Sequence, residues 1–135
     1  MTKMIYQIKT IEDKIAYNVA GCAMRVHSEL GNGFQEVVYQ RALEIEMKVM
    51  GLSFGREVEM PIYYRGNHIG NRRVDFLVEK ILLVELKAVI ILEDVHLAQA
   101  KNYLEAFKIN NGLLINFGSK SLTFKRLYNS KSILV

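Results

Sequence analysis

The chain has 135 residues, half of them hydrophobic and 24% charged, with one proline. That is enough to bury the core of a single domain spanning 1–135, and nothing in the composition suggests a disordered tail, linker or low-complexity tract. The net charge of +4 and a pI near 9.2 suit a polyanionic partner without requiring one. Lys120, Lys125, Arg126 and Lys131 concentrate that excess near the C-terminus. The single cysteine, Cys22, excludes an internal disulfide and fits a reducing compartment. No signal-peptide pattern opens the chain, and the apolar run Ile81–Leu92 is too short to span a bilayer. A soluble, cytoplasmic protein with no membrane partner is therefore expected.

In chain order, Ile11, Ile15, Val19, Cys22, Val26 and Leu30 recur at helical spacing and predict a first helix ended by Gly31-Asn32-Gly33. A second helix is expected over 35–50, with Val38, Ala42, Ile45 and Val49 as its buried stripe. Residues 53–64 alternate as a strand, in which Tyr63, Tyr64 and Phe54 are expected to pack in the core or at the edge. Pro61 places this strand at an edge or a bulge. Arg65–Asn71 reads as a hairpin turn, followed by strands over 72–78 and 81–89 joined tightly at Glu79-Lys80. A third helix over 94–108, with Asp94 as its N-cap, and strands over 112–117 and 122–128 complete the chain. This order suggests an α/β (α+β) fold, a sheet covered on its faces by helices.

The most informative feature is a pair of charges inside the greasiest stretch, Glu85-Leu86-Lys87. On a strand Glu85 and Lys87 share a face, and the apolar residues around them mark the segment as buried. A buried carboxylate and ammonium need pairing, a metal, or both. Ten residues earlier lies Asp75, in the strand-like Arg73–Val78. Cross-strand ion pairs on a solvated face are the plainer explanation, but the neighbours Ile81–Val84 and Val89–Ile91 argue for a central strand. Two acids and a main-chain carbonyl suffice for a hard divalent cation that retains several waters. A lysine alongside can orient a water and offset phosphate charge.

Two helical pairs add to this set. Glu36 and Tyr39 are three apart on the second helix, and Gln99 and Tyr103 four apart on the third. The series Gly33-x-x-Glu36-x-x-Tyr39, Asp75, Glu85-x-Lys87 and Gln99-x-x-x-Tyr103 resembles the GxxExxY family of the PD-(D/E)xK nuclease-like superfamily. The resemblance extends from about Val26 to Phe117, through His27–Phe34, Val84–Ala88 and Leu113–Gly118. Val74 stands where the superfamily motif has proline. The resemblance implies a mixed central β-sheet flanked by helices, a restriction-endonuclease-like core. It further implies Mg²⁺ or Mn²⁺ held by Asp75, Glu85, the Leu86 carbonyl and Glu36, with Lys87 positioning the attacking water. Gln99 and Tyr103 would lie beside the metal or the scissile phosphate.

The activity implied is metal-dependent hydrolysis of nucleic-acid phosphodiester bonds, with DNA favoured over RNA. Arg72, Arg73, Tyr39 and His96 are the candidate nucleic-acid contacts; Arg72 and Arg73 sit near Asp75, and His96 lies one helical turn before Gln99. Two other classes remain open: a non-catalytic nucleic-acid-binding module, and an interaction protein forming a homodimer through a sheet edge or helices.

Overall fold

The computed structural model describes residues 8–129; Lys131 and the other residues outside that range are not described. Thr10 caps the first helix, α1 (Ile11–Leu30), accepting the Asp13 N–H while the Asp13 carboxylate accepts the Thr10 N–H. The other oxygen of Asp13 takes an N–H of Arg126, tying the start of the chain to its end. After α1 come α2 (Glu36–Met50), β1 (Phe54–Tyr64), β2 (Asn67–Val78), β3 (Leu82–Lys87), α3 (Asp94–Phe107), β4 (Asn111–Asn116) and β5 (Thr123–Tyr128). The strands form one mixed sheet in the order β1-β2-β3-β4-β5, with only the β3–β4 pair parallel. That parallel pair requires a crossover, which α3 supplies. The element order and the α+β sandwich agree with the sequence reading.

Two apolar layers hold the helices to the sheet. Ile15, Val19, Cys22 and Val26 of α1 and Leu43 and Met47 of α2 pack on Phe76, Val84, Leu86, Leu113 and Ile115. On the opposite face Ala100, Tyr103 and Leu104 of α3 pack on Val74, Leu83, Leu114 and Leu127. The third layer explains why β3 and β4 read as continuous apolar runs: both faces of these strands are covered.

Several local expectations are corrected. The buried face of α2 is Tyr39, Gln40, Leu43 and Met47, whereas Ile45 and Val49 are exposed. The apolar spacing is real, but only Val38 and Ala42 of that stripe are partly buried, Ala42 against the core, while its C-terminal half faces solvent. Ile11 is also exposed, because α1 begins to touch the core only at Ile15. The hairpin turn is just Arg65-Gly66, both with positive φ, and β2 starts at Asn67. Tyr63 and Tyr64 stand exposed near its tip; Phe54 packs edge-on against Phe76. Strand β3 stops at Lys87, leaving Ile90 and Ile91 in solvent. Glu93, not Asp94, is the α3 N-cap; its N–H donates to His96 Nδ1. As expected, Glu79-Lys80 forms a tight turn, again with positive φ at both residues, and Pro61 lies on the edge strand.

Two features set the geometry beyond the regular ladder. Phe54 and Phe76 face α1 and α2, yet Val58 and Val74, four and two residues away and on the same side of ideal strands, face α3. Strict alternation forbids this; both strands change phase between these pairs, at Glu57 (φ 52°) and Asp75, and neither residue has a ladder partner in the β1–β2 register. Past β3, the chain is held by Asn116, whose side chain accepts the Val89 N–H and donates to the Val89 carbonyl. The Gly118 N–H joins the same Asn116 oxygen.

A Cβ on Gly118 would run into the backbone of Ala88 and Val89. Gly118→Ala is expected to destabilise the fold by about 1–3 kcal/mol, and Asn116→Ala by a similar amount through the unpaired Val89 peptide groups. Thermal denaturation should show both midpoints lowered by several degrees; unchanged midpoints would mean that the β3 exit is not held this way.

Candidate active site

Strands β2 and β3 pair only from Phe76↔Val84 to Val78↔Leu82. Beyond that point two carboxylates take over from the ladder. The Asp75 N–H donates to Glu85 Oε1 at 2.9 Å, and the Leu86 N–H donates to Asp75 Oδ2 at 2.8 Å. Each acid thus satisfies a peptide group on the strand opposite, which would otherwise be buried without a partner. Gln40 of α2 donates to the remaining oxygen, Asp75 Oδ1, at 2.8 Å. One turn earlier on the same helix, Glu36 lines a cleft of about 210 Å³ with Val37, Gln40 and Asp75.

Glu36, Asp75 and Glu85 make no ion pair among the described residues. Burial raises the pKa of each. For Glu36 and Glu85 the charge of Asp75 raises it further. Lys87 and Arg72 lower all three by their charge alone, and the Leu86 N–H and Gln40 lower Asp75. Glu85 is only 4% exposed and is pushed up to about 7. Its Oε2 receives no hydrogen bond among the described residues.

Two adjoining carboxylates without a contacting cation, partly or wholly buried, are hard oxygen donors lacking counter-charge, and they fit a divalent cation. No group of three or more His, Cys, Asp or Glu among the described residues forms a complete metal cage. Mg²⁺ does not require one, since it is commonly held by one or two carboxylates, waters and substrate phosphate.

The structure therefore gathers Asp75, Glu85, Glu36, Lys87 and Leu86 at one fork, and Arg72 approaches it from β2. Tyr103 lies on the α3 side, 8% exposed, under the Arg72 guanidinium at 4.7 Å. Four other expected positions do not join. Tyr39 is fully buried; its hydroxyl donates to the Gly31 carbonyl and accepts the Phe34 N–H, and its ring stacks on Phe117. It closes the α1–α2 turn and is not available to nucleic acid. His96 accepts the Glu93 N–H at the start of α3 and borders a separate cleft with Ala88–Ile91. Arg73 points to the outer face, where it pairs with Glu57 and Glu59. Gln99 is exposed and hydrogen-bonds to none of these groups. The sequence reading missed Gln40, buried and bonded to Asp75. Its signal was its place one turn after Glu36, on the core side of α2.

The PD-(D/E)XK nuclease superfamily model matches residues 13–127. The chain belongs to this superfamily. The superfamily is one of nucleases, which generally use divalent metal ions. Among solved structures, the crystal structure of SSO0001 is similar, with a TM-score of 0.58 and 17% identity over 84% of this chain. The match spans 66% of that protein, just under two thirds of its length, and speaks to fold alone. No curated protein matches the sequence. Among the described residues no helix is long and apolar enough to cross a membrane.

The raised carboxyl pKa of Glu85 has a stability consequence. Between its ordinary 4.5 and about 7 the folded state holds a proton that the unfolded state has released. Stability from this group is thus complete below pH 4.5 and lost as pH rises through 7, an effect on the order of 3 kcal/mol. Metal-free protein should have a lower thermal midpoint at pH 8 than at pH 5, and Glu85→Gln should flatten that slope. A slope identical in the variant would assign it to other groups.

Proposed function

We propose that this chain is a single-domain, metal-dependent nuclease of the GxxExxY type, cutting DNA in preference to RNA. The observation that carries the reading is the β2–β3 fork: two carboxylates exchange backbone hydrogen bonds, Lys87 stands two residues beyond Glu85, and no cationic side chain among the described residues contacts either acid. Asp75, Glu85 and Glu36 would hold Mg²⁺ or Mn²⁺, with the Leu86 carbonyl as a further donor. The bound cation supplies Lewis acidity toward the phosphate and makes water more acidic.

The chain's own residues account for the rest. Gln40, by donating to Asp75 Oδ1, fixes the carboxylate plane. Lys87 reaches Glu36, Asp75 and Glu85 through its charge and is suited to orient the attacking water and offset the phosphate. Arg72 is the arginine suited to contact the nucleic-acid backbone at the fork, because Arg73 is turned to the outer face. In this role Tyr39 acts indirectly, by fixing the turn that presents Glu36.

Calorimetric titration with Mn²⁺ or Mg²⁺ should show binding to the wild type that Asp75→Ala loses. Asp75→Asn, Glu85→Gln and Lys87→Ala should each reduce cleavage of single- or double-stranded DNA at least about 100-fold. EDTA should stop cleavage. Full activity in Asp75→Asn would sink the proposal, and RNA cut faster than DNA would reverse the substrate preference.

One observation favours an assembly role alongside this one. The apolar stripe of α2 ends in exposed Ile45 and Val49, a face that a second copy could cover. Sedimentation of wild type and Ile45→Glu should then show a concentration-dependent dimer, insensitive to salt, that the variant loses.

A further inference from the structure

Arg72 is the unusual cation of the fork. It is half-buried, its Nε is sealed from solvent with no acceptor, and none of its donors makes a hydrogen bond to a described residue. Among the described residues it forms no ion pair, although Glu36, Asp75 and Glu85 all feel its charge. What places it is the ring of Tyr103, 4.7 Å from the guanidinium carbon. Tyr103 is itself packed in the α3 layer with Val74, Ala100 and Leu104, and its ring stacks with Phe107 at 6.1 Å. A planar guanidinium lying on an aromatic face is oriented while its N–H edge stays available.

We propose that Tyr103 and Arg72 act as one device, with the ring serving as a shelf that aims the guanidinium's free N–H edge at the non-bridging oxygens of the phosphodiester being cut. This rests on the nuclease reading and assigns Tyr103 a role different from the one the Gln99-x-x-x-Tyr103 pattern suggested. Tyr103 is a positioning residue acting through its ring, and its hydroxyl is dispensable. The ligand class follows from the donor set: a tetrahedral oxyanion matches an arginine fork better than a carboxylate already bonded to peptide N–H groups. A charge that touches none of the three acids in the free protein is available to the substrate.

The test compares Arg72→Gln, Arg72→Lys, Tyr103→Phe and Tyr103→Leu in steady-state cleavage of an oligonucleotide with Mn²⁺, and in oligonucleotide binding under EDTA across a salt series. Arg72→Gln should lower kcat/KM by about 10- to 100-fold and reduce the salt slope of binding by about one ion. Arg72→Lys should restore the salt slope but not the rate, because an ammonium neither stacks flat nor offers a paired N–H edge. Tyr103→Phe should stay within about twofold of wild type. Tyr103→Leu should match Arg72→Gln in rate, and the double variant Arg72→Gln/Tyr103→Leu should be no slower than either single one.

Thermal midpoints identify loss of fold; if Tyr103→Leu unfolds, Tyr103→Phe and the two Arg72 variants still decide. A Tyr103→Phe variant as slow as Arg72→Gln overturns the shelf in favour of the hydroxyl. Wild type that cuts, with Arg72→Gln cutting equally well, overturns this inference and leaves the nuclease reading intact. Wild type that cuts neither DNA nor RNA with either metal overturns both.

Discussion

The site depends on the exchange of hydrogen bonds between Asp75 and Glu85 where β2 and β3 part. Strands in the middle of a covered sheet cannot separate freely, because each exposed peptide group would be buried without water. Here the Glu85 carboxylate receives the Asp75 N–H, and the Asp75 carboxylate receives the Leu86 N–H. The same two side chains that open the fork also close its hydrogen-bond account. They converge because each must reach across to the other strand's backbone. The β1–β2 hairpin changes phase at the same level, with Asp75 opposite Glu57, so Arg72 and Val74 turn toward α3 while Phe76 faces α1 and α2. The fork is therefore reached from both layers: Gln40 and Glu36 from α2, Tyr103 from α3.

The electrostatics follow from this arrangement. An exposed pair of ion bridges, the plainest reading of Glu85-x-Lys87, would leave the acids near their ordinary pKa and in contact with cations. Instead Glu85 is almost fully buried and pushed up to about 7, and the nearby positive charges of Lys87 and Arg72 act without touching. A site in this state has carboxylate oxygens directed inward and a shortage of contacting positive charge, which links proton loss to fold stability. Superfamily membership places that arrangement within a group of nucleases, and the site's own geometry accounts for why these particular residues hold it.

The errors of the sequence reading have physical causes. On α2 the stripe Val38, Ala42, Ile45 and Val49 is at proper helical spacing, but a second face carrying Tyr39, Leu43 and Met47 is equally periodic. Larger side chains and a hydroxyl able to close the α1–α2 turn put that second face inward. In the run Ile81–Leu92, hydrophobicity does not reveal where pairing stops: β3 ends at Lys87, its neighbour β4 ends at Asn116, and the Asn116 side chain takes over at Val89. Hence Ile90 and Ile91 are exposed despite their composition. Tyr39 shares a motif with Glu36, yet one is a core residue and the other borders the cleft. Spacing puts two residues near each other on a helix without deciding which of them reaches solvent.

The sequence by itself determined the element order, the covered central strands and the acids of the fork, because periodicity and buried charge are local properties written in residue type. Glu85 inside an apolar run could be noticed without any knowledge of its neighbours. The tertiary structure alone decided which face of α2 is inside, which of Arg72 and Arg73 turns toward the site, and that Gln40 supports Asp75. It also set Tyr103 beneath Arg72, 31 positions away in the chain. These outcomes depend on the phase change at Asp75 and on contacts between residues far apart in sequence. No pattern within one segment encodes them, since reversing the phase of a strand changes the partner of every side chain beyond it.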